Sequence, residues 1–174
     1  MAVMILGMAL WIGAHFFKRL APARREALGE KGRGFVAGAI LLGLVLMVVG
    51  YRGADTEFIW GRSPATTGIN NLLMLLAVAL MGAGSSKSRL RSKLRHPMLT
   101  GAVIWAAAHL LVNGDSVSIV LFGGMGLWAL VQMQLINRAE REYTPWEGGT
   151  MAGDIRLAAG DRSRPAGLSA VCVG

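Results

Sequence analysis

Residues 35–51 read FVAGAILLGLVLMVVGY, an unbroken apolar run with neither a charge nor a proline. At 1.5 Å per residue a helix of this length covers about 25 Å, close to the roughly 30 Å of a bilayer's hydrocarbon core. Four more runs have the same character: Ala2–Phe17, Ile69–Gly84, Met98–Asn113 and Ser116–Ile136, each bounded by charges, Pro or Gly. A spanning segment in lipid must satisfy its own backbone polar groups, and no ten-residue alternation of a barrel strand is present, so these runs predict α-helices. The expected fold is all-α, a polytopic membrane bundle of five transmembrane helices.

Composition agrees. Of 174 residues 53% are hydrophobic and only 16% charged, and the mean hydropathy is +0.49, above what a soluble globular monomer carries. The formal charge of +8 does not form an amphipathic stripe, as a nucleic-acid partner would require, because the basic residues lie between the runs. Lys and Arg number six in residues 18–34, two in 52–68, five in 85–97, none in 114–115 and five after 136. Placing the first and third loops and the tail in the cytoplasm puts 16 of 18 positive charges inside, which predicts an outside amino terminus and an inside carboxyl terminus in the cell inner (cytoplasmic) membrane. The first run has Lys18 and Arg19 after it and no cation before it, the reverse of a cleavable signal peptide. Cys172 is the only cysteine, so no intrachain disulfide or CxxC motif is available. The organisation expected is a transmembrane domain over 1–136 and a polar cytoplasmic tail over 137–174, its glycines and charges predicting disorder after about Tyr143 and no sixth span.

Small residues at four-residue spacing, Gly34/Gly38, Ala39/Gly43 and Ala102/Ala106, predict close helix contacts in lipid. The segment GEKGRG at Gly29–Gly34 has the glycine content of a phosphate loop, but no strand precedes it.

Chemistry-bearing residues inside the runs are few. His15 and His109 lie within predicted spans, where an ionisable side chain is a functional candidate, although a neutral imidazole bonded to a neighbouring helix is an equally good reading of either alone. Around the fourth helix Met98, Ala102, Trp105, Ala106 and Asn113 fall within about 60° of His109, a face of small residues and one indole with room for a flat ligand. His15 continues a stripe of Met4, Met8 and Trp11 that suits plain packing as well as a pocket wall. His96 stands before Pro97, a helix-start signal, and marks the inner boundary. It is about 20 Å and 140° from His109 along one helix, so a paired site must use His15. Two histidines from different helices are a standard way to hold haem in a bundle. The depths differ, however: about 5 Å for His15 and 18 Å for His109 from the inner boundary, unless the first helix runs on to Leu20.

The runs RHPMLTG (95–101), WAAAHLLVNGD (105–115), LFGGMGLWAL (121–130), WIGAHFF (11–17) and TTGINNLLML (66–75) together resemble the NnrU family of bacterial membrane proteins, in order over about residues 5–136. The resemblance implies a link to denitrification and nitric-oxide metabolism, and kinship with cis-zeta-carotene isomerase, a membrane enzyme that uses haem b. Carried over by position, it implies His15 and His109 as haem ligands and His96 as a nearby non-ligand; on the face read around His109, Trp105 and Ala106 would line one side of the ring. Members look similar through GGTMAGDIRL (148–157) and continue into one more apolar helix; here the chain reads AAGDRSRPAGLSAVCVG, so a bundle lacking its last helix, less covered on one side and prone to homo-oligomerise, is expected. RHPMLTG also resembles the Arg-His-Pro element of membrane methyltransferases, which implies S-adenosylmethionine at Arg95–His96, with only Glu140, Glu142 and the Tyr143–Pro145 turn to serve as the remaining partners.

Three functions therefore remain open. One is a haem-binding enzyme, isomerase-like, or a gas sensor, with nitric oxide or a small apolar molecule as its ligand; Asn113 and Asp115 stand beside that site. The second is a methyltransferase-like protein, and the third a noncatalytic membrane accessory.

Overall fold

In a computed structural model the chain is mostly helical, and the structure describes residues 1–159. The five apolar runs form α1 (Ala2–Leu20), α3 (Gly29–Arg52), α4 (Pro64–Ala83), α6 (Pro97–Val112) and α7 (Ser116–Ala139). Short helices α2 (Pro22–Ala27), α5 (Arg89–Lys93) and α8 (Met151–Ala158) join or follow them. Three of these helices, α3, α4 and α7, are long and apolar enough to cross a membrane, while Ala2–Phe17 and Pro97–Val112 form shorter apolar helices.

Local chemistry sets the boundaries. Ser63 and Thr66 form a reciprocal capping box ahead of Pro64, with the Ser63 hydroxyl accepting from the Thr66 amide at 3.1 Å. Pro97 opens α6, with His96 as its N-cap. GEKGRG is not a loop: it is the first turn and a half of α3, and Gly29, at φ +50°, supplies the left-handed residue that redirects the chain out of α2.

Packing runs in two pairs, α1 on α3 and α4 on α6, with α7 touching both. Small residues carry the contacts, as expected where lipid removes the hydrophobic drive between helices. Ala77, Ala83, Ala106, Ala108 and Ala129 are buried, whereas Phe35, Leu72 and Leu75 are 79%, 70% and 71% exposed along faces that suit lipid tails. At the α1–α3 seam Gly7, Gly43 and Gly50 sit so close to opposing backbone that a Cβ at Gly50 would lie 2.2 Å from the Met4 nitrogen. Of the four-residue pairs expected to pack, Gly43 and Ala106 do so, but Gly34 and Gly38 have nothing within 4 Å. The working spacing on α3 is Gly43 to Gly50, seven residues, which returns within about 20° of the same face.

The α3–α4 and α6–α7 connections are clamped by a two-stranded antiparallel ladder, β1 (Phe58–Trp60) with β2 (Gly114–Asp115). The Trp60 ring would collide with any Cβ at Gly114, and its indole Nε1 donates to the Leu110 carbonyl at 3.0 Å. Past α7, the composition predicting disorder after Tyr143 meets a different outcome at α8. Thr150 caps it, accepting from the Gly153 amide at 3.0 Å. Asp154 ties it to Arg89 through the backbone amide at 2.8 Å and the guanidinium Nε at 2.9 Å. Gly153 is a point of close approach, its Cα lying against the Lys87 carbonyl, so here glycine serves packing and not chain freedom. Residues 160–174, with the departure read at AAGDRSRPAGLSAVCVG and with Cys172, lie outside the described residues.

Candidate functional site

His15 of α1 and His109 of α6 are held by the same local device. His15 Nδ1 lies 2.8 Å from the Trp11 carbonyl, and His109 Nδ1 lies 2.9 Å from the Trp105 carbonyl, one helical turn back in both cases. A carbonyl only accepts, so Nδ1–H is the donor, and in the neutral imidazole Nε2 is left with its lone pair as an acceptor or ligand. Fixing one ring nitrogen on a backbone carbonyl is how metal-binding histidines are oriented.

Rings from α7 complete both neighbourhoods. His109 stacks on Phe122 with centroids 4.5 Å apart, and Trp105 stands 4.6 Å from His109 and 5.2 Å from Phe122. His15 lies 3.8 Å from the Trp11 ring and 5.2 Å from Trp128. Among the described residues, the buried Nε1 of Trp128 and Oε1 of Gln132, one turn apart on α7, have no hydrogen-bond partner.

The two histidines rest against different rings of α7, His109 on Phe122 and His15 beside Trp128. A Cβ at Gly124 would meet the Met8 side chain of α1, and one at Gly126 would meet Ala106 of α6 at 3.2 Å. Two residues span about 200° of a helix, so α1 and α6 lie on opposite sides of α7, a body about 10 Å across. The rings touched by the histidines, Phe122 and Trp128, are also about 9 Å apart along the axis. Two imidazoles on one metal need their nitrogens about 4 Å apart. The donors suit haem iron chemically, therefore, but this arrangement does not fit one haem held by both. α1 does extend to Leu20, as the depth argument required, yet helix order separates the pair.

His109 opens onto a cavity of about 230 Å³ near the carboxyl end of α6, bordered by Arg62, Asn70, Asn71 and Asn113. Asn113 is fixed there: its Nδ2 donates to the His109 carbonyl at 2.9 Å and its Oδ1 accepts from Arg62 at 3.3 Å. Asn70 and Asn71, within TTGINNLLML (66–75), are two adjacent amides inside an apolar run, a polar signal of the same kind as a histidine. Asp115 has a structural role. Partial burial raises its pKa, but hydrogen bonds from Ser118, Thr56 and Val117 outweigh that and hold its carboxyl below the usual range. Its Oδ1 accepts from the Ser118 amide at 2.8 Å, capping α7, and from the Thr56 hydroxyl at 2.9 Å.

At the other end of α6, Arg95 donates to the Glu140 carbonyl and lies 5.0 Å from the Tyr143 ring centre, and His96 Nε2 pairs with Asn137 Oδ1 at 2.8 Å. Arg95, His96 and Tyr143 border a cavity of about 330 Å³, and none of its lining residues among those described is acidic. The corner that the methyltransferase resemblance points to thus borders a cavity that no acidic residue among those described lines. Among the described residues no cluster of three or more His, Cys, Asp or Glu is placed to hold a metal.

A sequence model of a known family, described as NnrU protein, matches residues 3–171, nearly the whole chain. This chain belongs to the NnrU family. No curated protein and no solved structure matches it. The family match reaches past the stretch 5–136 on which the resemblance was first read and takes in α8. Its apolar helices and exposed apolar faces make this NnrU-family chain an integral membrane protein.

Proposed function

We propose that this NnrU-family protein is a five-span protein of the cytoplasmic membrane, amino terminus outside, that acts in nitrogen-oxide metabolism through two neutral imidazoles, His15 and His109, at separate places in the bundle. The observation that carries the reading is the repeated anchoring of Nδ1 on the carbonyl four residues back, which leaves both Nε2 atoms as ligands inside an apolar bundle. The unpartnered indole Nε1 of Trp128 beside His15, and the asparagines beside His109, add polar groups that plain packing does not call for. Haem b, nitric oxide and small apolar molecules are the ligands this proposal carries; haem rests on donor chemistry alone, and because the pair does not fit one iron no reaction step is drawn through it.

The visible spectrum of the purified full chain tests the haem reading. A Soret band lost in His109→Ala and kept in His15→Ala is expected. A low-spin band abolished by either substitution would refute the separation of the two sites. Absence of any Soret band from a haem-replete preparation would refute haem binding and favour a noncatalytic accessory. The spans are tested by reporter fusions: alkaline phosphatase fused after Arg91 should be inactive, and activity there would sink the orientation.

A further inference from the structure

α1 and α7 lie side by side, and the rungs between them climb in step. A Cβ at Gly124 would lie 2.6 Å from the Met8 sulfur, Trp11 packs on Trp128 with ring centres 4.5 Å apart, His15 stands 5.2 Å from the same indole, and Arg19 pairs with Glu140 at 2.9 Å. The two helices therefore run parallel. Gly124, Trp128 and Gln132 are four residues apart and make one row on α7. Because Trp128 touches both Trp11 and His15, its height lies between theirs, and one further turn brings Gln132 level with His15 to within about 3 Å along the axis. The helices stand a side chain apart here, since Gly124 meets the end of a thioether, whereas Gly50 at the α1–α3 seam meets backbone.

The polar groups of this layer do not match one another in number. His15 Nδ1–H is committed to the Trp11 carbonyl at 2.8 Å, which leaves Nε2 as an acceptor. The indole Nε1–H of Trp128 can only donate and Gln132 Oε1 can only accept, and both are buried without a partner among the described residues. Buried polar groups are as a rule hydrogen-bonded, by ordered water where no protein group reaches them. Two acceptors and one donor call for a molecule that donates twice and accepts once. A hydroxyl group donates once and leaves an acceptor unmet, an anion donates to neither acceptor, and a metal ion on the two acceptors leaves the indole proton without an acceptor. Water carries both donors and the lone pair on a single atom.

We propose that the α1–α7 seam binds an internal water molecule, which donates to His15 Nε2 and Gln132 Oε1 and accepts from Trp128 Nε1. The proposal rests on the reading of His15 as a neutral imidazole with Nε2 free, and deepens it: that nitrogen is engaged by water and not by haem iron. Water bonded to three side chains from two helices ties α1 to α7 at a seam where small residues do not bring the backbones together.

The test is NMR of the full chain in phosphatidylcholine nanodiscs, with isotope-labelled tryptophan and histidine and with Trp128→Phe to assign the indole signal. A dipolar cross-peak from the Trp128 indole proton to water, of the sign that distinguishes contact from proton exchange, is expected. Gln132→Leu removes one acceptor and should weaken that cross-peak at least twofold. Should Gln132→Leu lose helical circular dichroism, Gln132→Met takes its place with the same expected loss. No water cross-peak in the folded chain, or one of unchanged intensity in a folded Gln132 variant, would overturn the proposal. A scalar coupling across a direct bond from Trp128 Nε1 to His15 Nε2 would overturn it as well, by showing that the two side chains satisfy each other. None of these signals needs haem, so a chain without a Soret band still reports the water, and the two readings fail separately.

Discussion

Gly50→Ala sets two opposing effects against each other at one position. In an exposed helix interior the exchange is favourable by roughly 1 kcal/mol, because alanine loses less backbone entropy on folding. At Gly50 the new methyl carbon would lie 2.2 Å from the Met4 nitrogen, 2.7 Å from its Cα and 2.8 Å from the Val3 carbonyl carbon. These are backbone atoms of the facing helix, so no side chain can rotate away. Restoring ordinary contact, about 3.4 Å or more, needs α1 and α3 to part by about 1 Å, and overpacking of this kind costs typically 1–3 kcal/mol. The seam is shared with Gly7 and Gly43, whose own backbone contacts open together with it, and that places the cost at the upper end. The net expectation is a loss of about 1–2 kcal/mol, five- to thirtyfold in the folded-to-unfolded ratio. Gly38→Ala is the matched control, on the same helix with nothing within 4 Å, and should be neutral or stabilising by up to about 1 kcal/mol. Denaturation in mixed micelles followed by circular dichroism reads both. If Gly50→Ala equals or exceeds Gly38→Ala in stability, the α1–α3 seam described above is wrong.

Asp115→Ala should destabilise the amino-terminal end of α7 by about 1 kcal/mol through the lost cap. Since the folded carboxyl titrates below its ordinary value, the cap is intact from neutral pH downward and is lost as pH falls below about 4; the gap between wild type and variant, read by thermal melts, should close only there. Asp154→Asn removes an exposed ion pair worth less than about 1 kcal/mol, so global stability should hold while trypsin cuts at Arg156 faster; unchanged cleavage would show that Arg89 does not hold α8. Phe122→Leu should shift the imidazole NMR signals of His109 and spare those of His15, with Trp128→Phe doing the reverse; crossed effects would place both rings at one site.

What the sequence makes legible here is whatever one helix decides alone. Five apolar runs became α1, α3, α4, α6 and α7, and Pro97 behind His96 marked a real helix start. The angular argument around α6 is also sound within that helix, since Trp105, Ala106 and His109 do share the face turned to α7. Periodicity, however, states which residues share a face and not which helix arrives there. Gly34/Gly38 and Ala39/Gly43 have identical spacing, and only the arrival of α1 separates the buried glycine from the bare ones. The β1–β2 ladder is hidden for a related reason: strands of three and two residues are too short to show alternation, and they pair across more than fifty positions. At α8, glycine reads as disorder until the Lys87 carbonyl it accommodates is known.

Helix order also decides the central question about the histidines. Geometry along α6 excludes His96 as the partner of His109 and leaves His15 by elimination, yet elimination cannot supply proximity. α7 receives α6 on the Phe122–Gly126 face and α1 on the Gly124–Trp128 face, so each imidazole rests against an aromatic ring of the same helix from opposite sides. The two rings are therefore neighbours of α7 and not of each other. Any ligand that couples them within one copy must do so by changing how α7 packs, and Gly124 and Gly126, where an added Cβ would meet the Met8 thioether of α1 and, at 3.2 Å, Ala106 of α6, are the residues at which such a change would first be felt.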